Sequence, residues 1–343
     1  MRSPSPRSAA VAAAAALLLS ACAASRPAPA PIETAWVSPL HRDHPLAGRI
    51  WSVGAGRFAS SDELLAAVAR TRLVFLGEVH DNADHHRLEA LLLQAATRGG
   101  RRPTLAMEML DPDQQWAVNG VLSGPEPSPA AFREAVGWDQ SGWPPFALYR
   151  PVLEVALRLH LPIAAVNLSR RAAREVIHRG PDALSREVRG LLERAGPLSP
   201  DEARERRERM EALHCGQLPE EMLDPMVLAQ RARDAEIASR FLRSASPGGD
   251  GAVLITGGEH ARKDRGAAGL VRIAGAAAGE VLSVGFLEVD PAETSPAGYG
   301  PLAFDWVVFT PGADRGDPCE GMRGLSDRAV PPPAPGAAPP AGR

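Results

Sequence analysis

Lysine is almost absent: Lys263 is the only one among 38 basic residues. Alongside the abundance of alanine, this reads as base composition and not as chemistry. Aromatics make up only 5% of the chain, and a net charge of −3 leaves no electrostatic case for nucleic acid. Only one sustained apolar run occurs, at residues 9–19. It is shorter than the roughly 20 residues a membrane-spanning helix needs. The body therefore reads as soluble. No Gly-x-x-x-x-Gly-Lys is present, and Gly54-Ala55-Gly56 lacks both a third glycine and a preceding strand. No Gly-x-Ser-x-Gly elbow occurs either, so a P-loop, a dinucleotide fold and a serine hydrolase are excluded.

The short apolar run has a function of its own. Arg2 and Arg7 precede it and Leu19-Ser20-Ala21-Cys22 ends it, the arrangement of an export signal. The last four residues look like the bacterial lipobox, in which the cysteine is lipidated. Ala23 in place of an acidic residue favours the outer membrane. Expected boundaries are a signal peptide over 1–21, a Pro/Ala-rich tether over 22–35, one domain over 36–323 and a Pro-rich tail over 324–343. The expected location is the cell envelope, held by lipid and facing the periplasm. With Cys22 assigned to lipid, Cys215 and Cys319 remain. An even pair in an oxidising compartment predicts a disulfide. The alternative is two free buried thiols. A bridge would close a loop worth up to about 4.7 kcal/mol in the chain-entropy treatment.

Apolar, β-rich runs stand at residues 73–76, 104–107, 163–166, 253–256 and 281–286, with a sixth at 306–309. They are continuous where a half-exposed strand would alternate, as expected of strands buried on both faces. Helical patterns separate them. Residues 82–96 carry Leu88, Leu91, Leu92 and Ala95 on one stripe, and Asp111-Pro112 begins another helix. Residues 146–159, 169–178 and 220–241 continue the alternation, while 201–211 is charged nearly all round. The predicted fold is α/β, a mostly parallel sheet with helices on both faces.

Polar residues collect where those runs end. The first closes with Gly77-Glu78-Val79-His80, the second with Glu108, the third with Asn167 and the fourth with Gly257-Gly258-Glu259-His260. Ligands of open α/β sheets bind at such carboxyl ends. His80, His260, Glu78 and Glu108 are therefore candidate ligands for a divalent metal, since imidazole and carboxylate suit zinc, iron or manganese. Glu78 or His80 alone would read as a loop hydrogen bond; two Gly-x-x-His endings on separate strands together with Glu108 make the case. Asp84, His85 and His86 open the following helix, either as a solvated first turn or as a site rim. Trp138, Trp143, Phe146 and Tyr149 cluster within a dozen residues and either form a core corner or offer flat faces to a planar ligand. No Cys-x-x-Cys-His occurs, which excludes covalent haem.

At these residues the chain resembles the ChaN family of haem-binding uptake lipoproteins, part of the Tiki/TraB/EreA-like superfamily. The likeness rests on Leu76-Gly77-Glu78-Val79-His80-Asp81-Asn82 with His85-His86-Arg87, and on Met107-Glu108-Met109-Leu110-Asp111. Gly142-Trp143-Pro144-Pro145, His214-Cys215-Gly216, the run from Ala229 through Asp234, and His260-Ala261-Arg262 extend it over about residues 44–319. The resemblance implies an α/β fold, non-covalent haem, a role in iron acquisition and association of haem-bound subunits into a homodimer. Expected haem contacts are Tyr149, Trp143, Arg150, His85 and His86, with Arg150 favouring a Tyr149 phenolate or pairing with a propionate. The superfamily also implies an alternative: a metal-dependent hydrolase in which Glu78 or Glu259 acts as general base on metal-bound water.

Overall fold

The structure, a computed structural model, describes Ile32 and residues 35–245, 249–317 and 319–320. Cys22, the signal peptide, most of the tether and the Pro-rich tail lie outside the described residues. Eight strands form one sheet: β1 Ile50–Ser52, β2 Arg57–Ala59, β3 Leu73–Glu78, β4 Thr104–Met107, β5 Ile163–Ala165, β6 Ala252–Gly257, β7 Val281–Glu288 and β8 Trp306–Thr310. Their order is β2-β1-β8-β7-β3-β6-β4-β5. Neighbours from β8 to β5 run parallel, while β1 pairs antiparallel with both β8 and β2. The β1–β2 hairpin escaped the sequence reading because each of its strands is only three residues long.

Helices connect these strands. They are α1 Ser61–Arg70, α2 Ala83–Ala96, α3 Gln115–Leu122, α4 Pro129–Ala135, α5 Phe146–Arg158 and α6 Arg170–Arg179. The remainder are α7 Arg186–Ala195, α8 Pro200–Leu213, α9 Glu220–Ser244, α10 Gly258–Ala261 and α11 Ala267–Ile273. Their starts are written locally. Ser60 and Ser199 build capping boxes with Glu63 and Glu202, and Asn82 accepts from the Asp84 amide at the head of α2. Among the described residues no helix is long and apolar enough to cross a membrane.

Successive residues of β3 enter different hydrophobic clusters, as a strand's two-residue period requires. Val74 and Leu76 join Leu88 and Leu92 of α2 and Val152 and Leu153 of α5. Leu73 and Phe75 join Ile237 and Phe241 of α9 and Val271 of α11. Phe75 and Phe241 meet edge to face with ring centroids 4.7 Å apart. Each fully buried side chain of this size contributes about 1.5–3 kcal/mol of transfer free energy.

Strand order places the site. From β3 the chain moves to β4 and β5, then returns to insert β6 between β3 and β4 before crossing to β7 on the other side of β3. The connections thus diverge at β3 and β6, and in such sheets a ligand crevice opens at that point. There Glu78 stands in register with Gly257, and the Glu108 amide donates to Ile255 at 3.1 Å.

Candidate functional site: a histidine and carboxylate centre and a neighbouring cavity

Glu78, the last residue of β3, is buried, and its Oε2 has an ion-pair partner but no hydrogen bond among the described residues. Its Oε1 lies 2.7 Å from His80 Nδ1 and accepts from the Tyr149 hydroxyl at 2.9 Å. Its Oε2 lies 2.8 Å from His86 Nδ1. His86 Nε2 donates to the His80 carbonyl at 3.0 Å, and its Nδ1 also reaches Glu89 Oε2 at 3.2 Å. His86 therefore stands between two buried carboxylates. Burial opposes its charge, but Glu78 and Glu89 outweigh burial and raise it to about 11. Burial likewise opposes the Glu78 charge, yet His86 and His80 hold that carboxyl below its usual range. Glu89, pushed by burial and by Glu78, is raised well above it.

The second half of the centre has the same form. Glu108 Oε2 accepts from Thr256 Oγ1 at 2.6 Å and from the Gly257 amide at 2.8 Å. His260, in the single turn of α10, lies 3.4 Å from Glu108 Oε1 through Nε2 and 2.6 Å from Asp234 Oδ1 through Nδ1. Burial opposes the His260 charge, but Glu108 and Asp234 raise it to about 10. Glu108 is held well below its usual range by His260 against the pull of burial, whereas burial raises Asp234. His80 joins the halves, with Nε2 4.0 Å from Glu108 Oε2. A Cβ on Gly257 would lie 3.0 Å from that His80 nitrogen, so glycine there leaves the ring its place.

Pairwise contacts thus chain together the four residues expected to hold a metal: Glu78 to His80, His80 to Glu108 and Glu108 to His260. A tighter set includes two others. Ligand atoms of Glu78, His86 and Glu89 all lie within 4.8 Å of one another. Glu89 Oε1 is buried without a hydrogen-bond partner among the described residues. These donors fit a hard or borderline divalent cation. Sequence reasoning missed Glu89, and it named Gln230 and Asp234 only within the Ala229–Asp234 run without placing them at His260, whose Nε2 lies 3.2 Å from the Gln230 amide. The available signal was polar residues on helix stripes that otherwise bury alanine and leucine.

The expected haem contacts lie as follows. His85 and His86 are buried, where a solvated first turn or a rim was expected. His85 Nδ1 accepts from the Val79 amide at 2.9 Å and its Nε2 meets Thr310 Oγ1 at 2.8 Å, which occupies both ring nitrogens. Tyr149 is also fully buried, between Trp138 and His86, and burial together with Glu78 raises its phenol well above 10. Its hydroxyl is engaged as a donor to Glu78. Arg150 points to solvent and pairs with Glu154 at 2.6 Å, so it meets neither Tyr149 nor the centre. Glu259 is no base at the metal candidates, because Arg209 and Arg265 hold its two oxygens at 3.0 Å each. Trp143 does reach the centre, edge to face with His80 at 4.9 Å between ring centroids.

Beyond His260 a cavity of about 330 Å³ opens between α6, α8 and α9. Ile177, Met210, Leu213, Met226 and Val227 give it apolar walls, and His214 and Arg233 reach it as well. Leu213 is 61% exposed there. The turn after α8 is closed covalently by Cys215–Cys319, with Cα atoms 5.6 Å apart, so the expected disulfide is present.

A mostly parallel sheet with histidines and carboxylates gathered at its carboxyl ends defines an α/β ligand-site protein. The chain belongs to the family described as haem-binding uptake, Tiki superfamily, ChaN, whose pattern matches residues 64–271. It is similar to a solved structure described as cofacial heme binding to ChaN of Campylobacter jejuni. That similarity has a TM-score of 0.58 at 19% identity over 76% of this chain and 95% of that one. A mutant of the erythromycin esterase EreC in its open conformation matches with a TM-score of 0.39 at 14% identity, over 78% of this chain and 83% of that one. No curated protein matches the chain by sequence.

Proposed function

We propose that this protein binds haem non-covalently for haem or iron uptake, tethered to the envelope through a lipid on Cys22. Family membership across residues 64–271 is the observation that carries the reading. The cavity between α6, α8 and α9 supports it, since Ile177, Met210, Leu213, Met226 and Val227 offer apolar walls to a planar ligand while arginines and carboxylates line the rest. An exposed Leu213 at that cavity suits the homodimer of haem-bound subunits that the resemblance implies. Two hydrophobic clusters, each joining strand residues to helices, support the reading that helices cover both sheet faces. Titrating ferric haem into the purified protein should give a saturable Soret band. Absence of saturable binding at micromolar haem would reject the haem reading.

A second reading, a divalent metal at His80, His260, Glu78 and Glu108, is favoured by one specific contact. His260 Nδ1 is braced by Asp234 at 2.6 Å while Nε2 faces Glu108, the way metal-bound imidazoles are oriented by a carboxylate. Metal analysis of the same sample checks it: content should drop in His80→Ala and His260→Ala. Equal content in wild type and both variants would reject this assignment.

A further inference from the structure

We propose that Glu78, His86 and Glu89 hold a structural divalent cation that pins the head of α2 to the end of β3, separate from any metal at His80, Glu108 and His260 and independent of the haem-binding reading. The three side chains are closed off from solvent, and their donor atoms lie within 4.8 Å of one another. His86 Nδ1 is 2.8 Å from Glu78 Oε2 and 3.2 Å from Glu89 Oε2. Donors bound to one cation at about 2.0–2.2 Å stand about 2.8–3.6 Å apart, so these separations suit a shared ion. His86 Nε2 lies 3.0 Å from the His80 carbonyl, which can only accept, so the proton of the neutral ring sits on Nε2. The lone pair of Nδ1 then faces two carboxylates. A histidine that donates one N–H to a backbone carbonyl and presents the other nitrogen to anionic donors has the orientation of a metal ligand.

Two oxygens supply the second observation. Glu78 Oε2 and Glu89 Oε1 are both buried with no hydrogen bond among the described residues. Carboxylates withdrawn from water without donors are costly, and a single proton on Nδ1 cannot satisfy two of them. One divalent ion cancels both charges and takes up both oxygens. The surrounding groups brace the set. Glu78 Oε1 accepts from the Tyr149 hydroxyl at 2.9 Å and lies 2.7 Å from His80 Nδ1, which leaves Oε2 turned toward His86. The His86 ring packs on Tyr149 with centroids 4.1 Å apart. His86 and Glu89 are three residues apart on α2 and so share a face of the helix. Imidazole with carboxylates suits zinc or manganese, and a set closed to solvent is the form of a structural site, where a catalytic one keeps an open position. The competing occupant is a proton shared between Glu78 and Glu89.

The experiment is metal analysis of the full chain produced in zinc-supplemented medium. Wild type should hold an equivalent of zinc that survives in His260→Ala and is lost in Glu89→Gln. Glutamine separates the two occupants, because an amide mimics the protonated acid but cannot replace a carboxylate ligand. Cobalt loaded in place of zinc reads the ligands directly: its visible absorption should persist in His260→Ala and vanish in Glu89→Gln. A chelator should lower the wild-type thermal midpoint by about 5 °C, the shift for an ion held at roughly a hundredfold its Kd, and leave that of Glu89→Gln unmoved. If Glu89→Gln does not fold, the cobalt spectrum and chelator response of His260→Ala decide, and their absence overturns the site. Metal lost from His260→Ala but kept in Glu89→Gln would overturn it and leave the metal reading at His260 standing. Equal metal content and chelator response in wild type and Glu89→Gln, or a wild type without metal, would overturn it in favour of the shared proton.

Discussion

His85 shows how one buried ring constrains the pH range of the fold. With Nδ1 accepting from the Val79 amide, its proton sits on Nε2 and is donated to Thr310 Oγ1. A second proton would set donor against donor, and burial lowers the ring from its ordinary 6.5 to about 4. Between those values the unfolded chain binds more protons than the native one, so stability is lost as pH falls through that interval. The full effect is roughly 3 kcal/mol. Thermal midpoints should therefore decline from about pH 6.5 to about pH 4, and His85→Gln should flatten the decline. An equal slope in the variant would refute the attribution. At this scale the sequence made His80, His260, Glu78 and Glu108 visible, because glycines and strand ends mark them. It hid the burial of His85 and His86, since polarity suggests exposure until a partner is known, whereas the core-corner alternative for Tyr149 is what the structure shows.

At the scale of elements, the junction of β3 with α10 sets the distance between His260 and the strands. Gly77 lies against that turn: a Cβ there would come within 2.7 Å of Ala261 Cβ and 3.1 Å of Gly258 Cα. Gly77→Ala should therefore lower stability by about 1–3 kcal/mol, the usual cost of overpacking, and displace His260 from Glu108. Gly54→Ala is the control, because nothing lies within 4 Å of a Cβ there. Matching unfolding midpoints for the two variants would contradict this view of the junction. The central strands were legible because their apolar runs are continuous. Helix α2 was legible in extent but not in orientation: Leu91 is exposed while His85, His86 and Glu89 are buried. Reading a stripe from apolar residues alone places it wrongly when the buried face carries an ion-pair network.

At the scale of the whole molecule, we propose attachment through Cys22, motivated by Leu19-Ser20-Ala21-Cys22. Cys22→Ala should move the protein from the membrane fraction to the soluble fraction and abolish incorporation of labelled lipid. Unchanged fractionation with unchanged labelling would sink the proposal. What the sequence determined by itself is local: which runs become strands, where helices begin, which strand ends carry chemistry, and which cysteines remain to pair. These follow from periodicity, capping and composition, which act over a few residues. Tertiary structure alone decided that β6 returns between β3 and β4, bringing His260 to Glu108 and both to His80. It also decided that α9 delivers Asp234 behind His260, and that α6, α8 and α9 leave a cavity at His214. The reason is physical. Strand order and helix packing are chosen by burial summed over the whole chain, and a residue's charge, tautomer and exposure depend on partners that only this folding brings near.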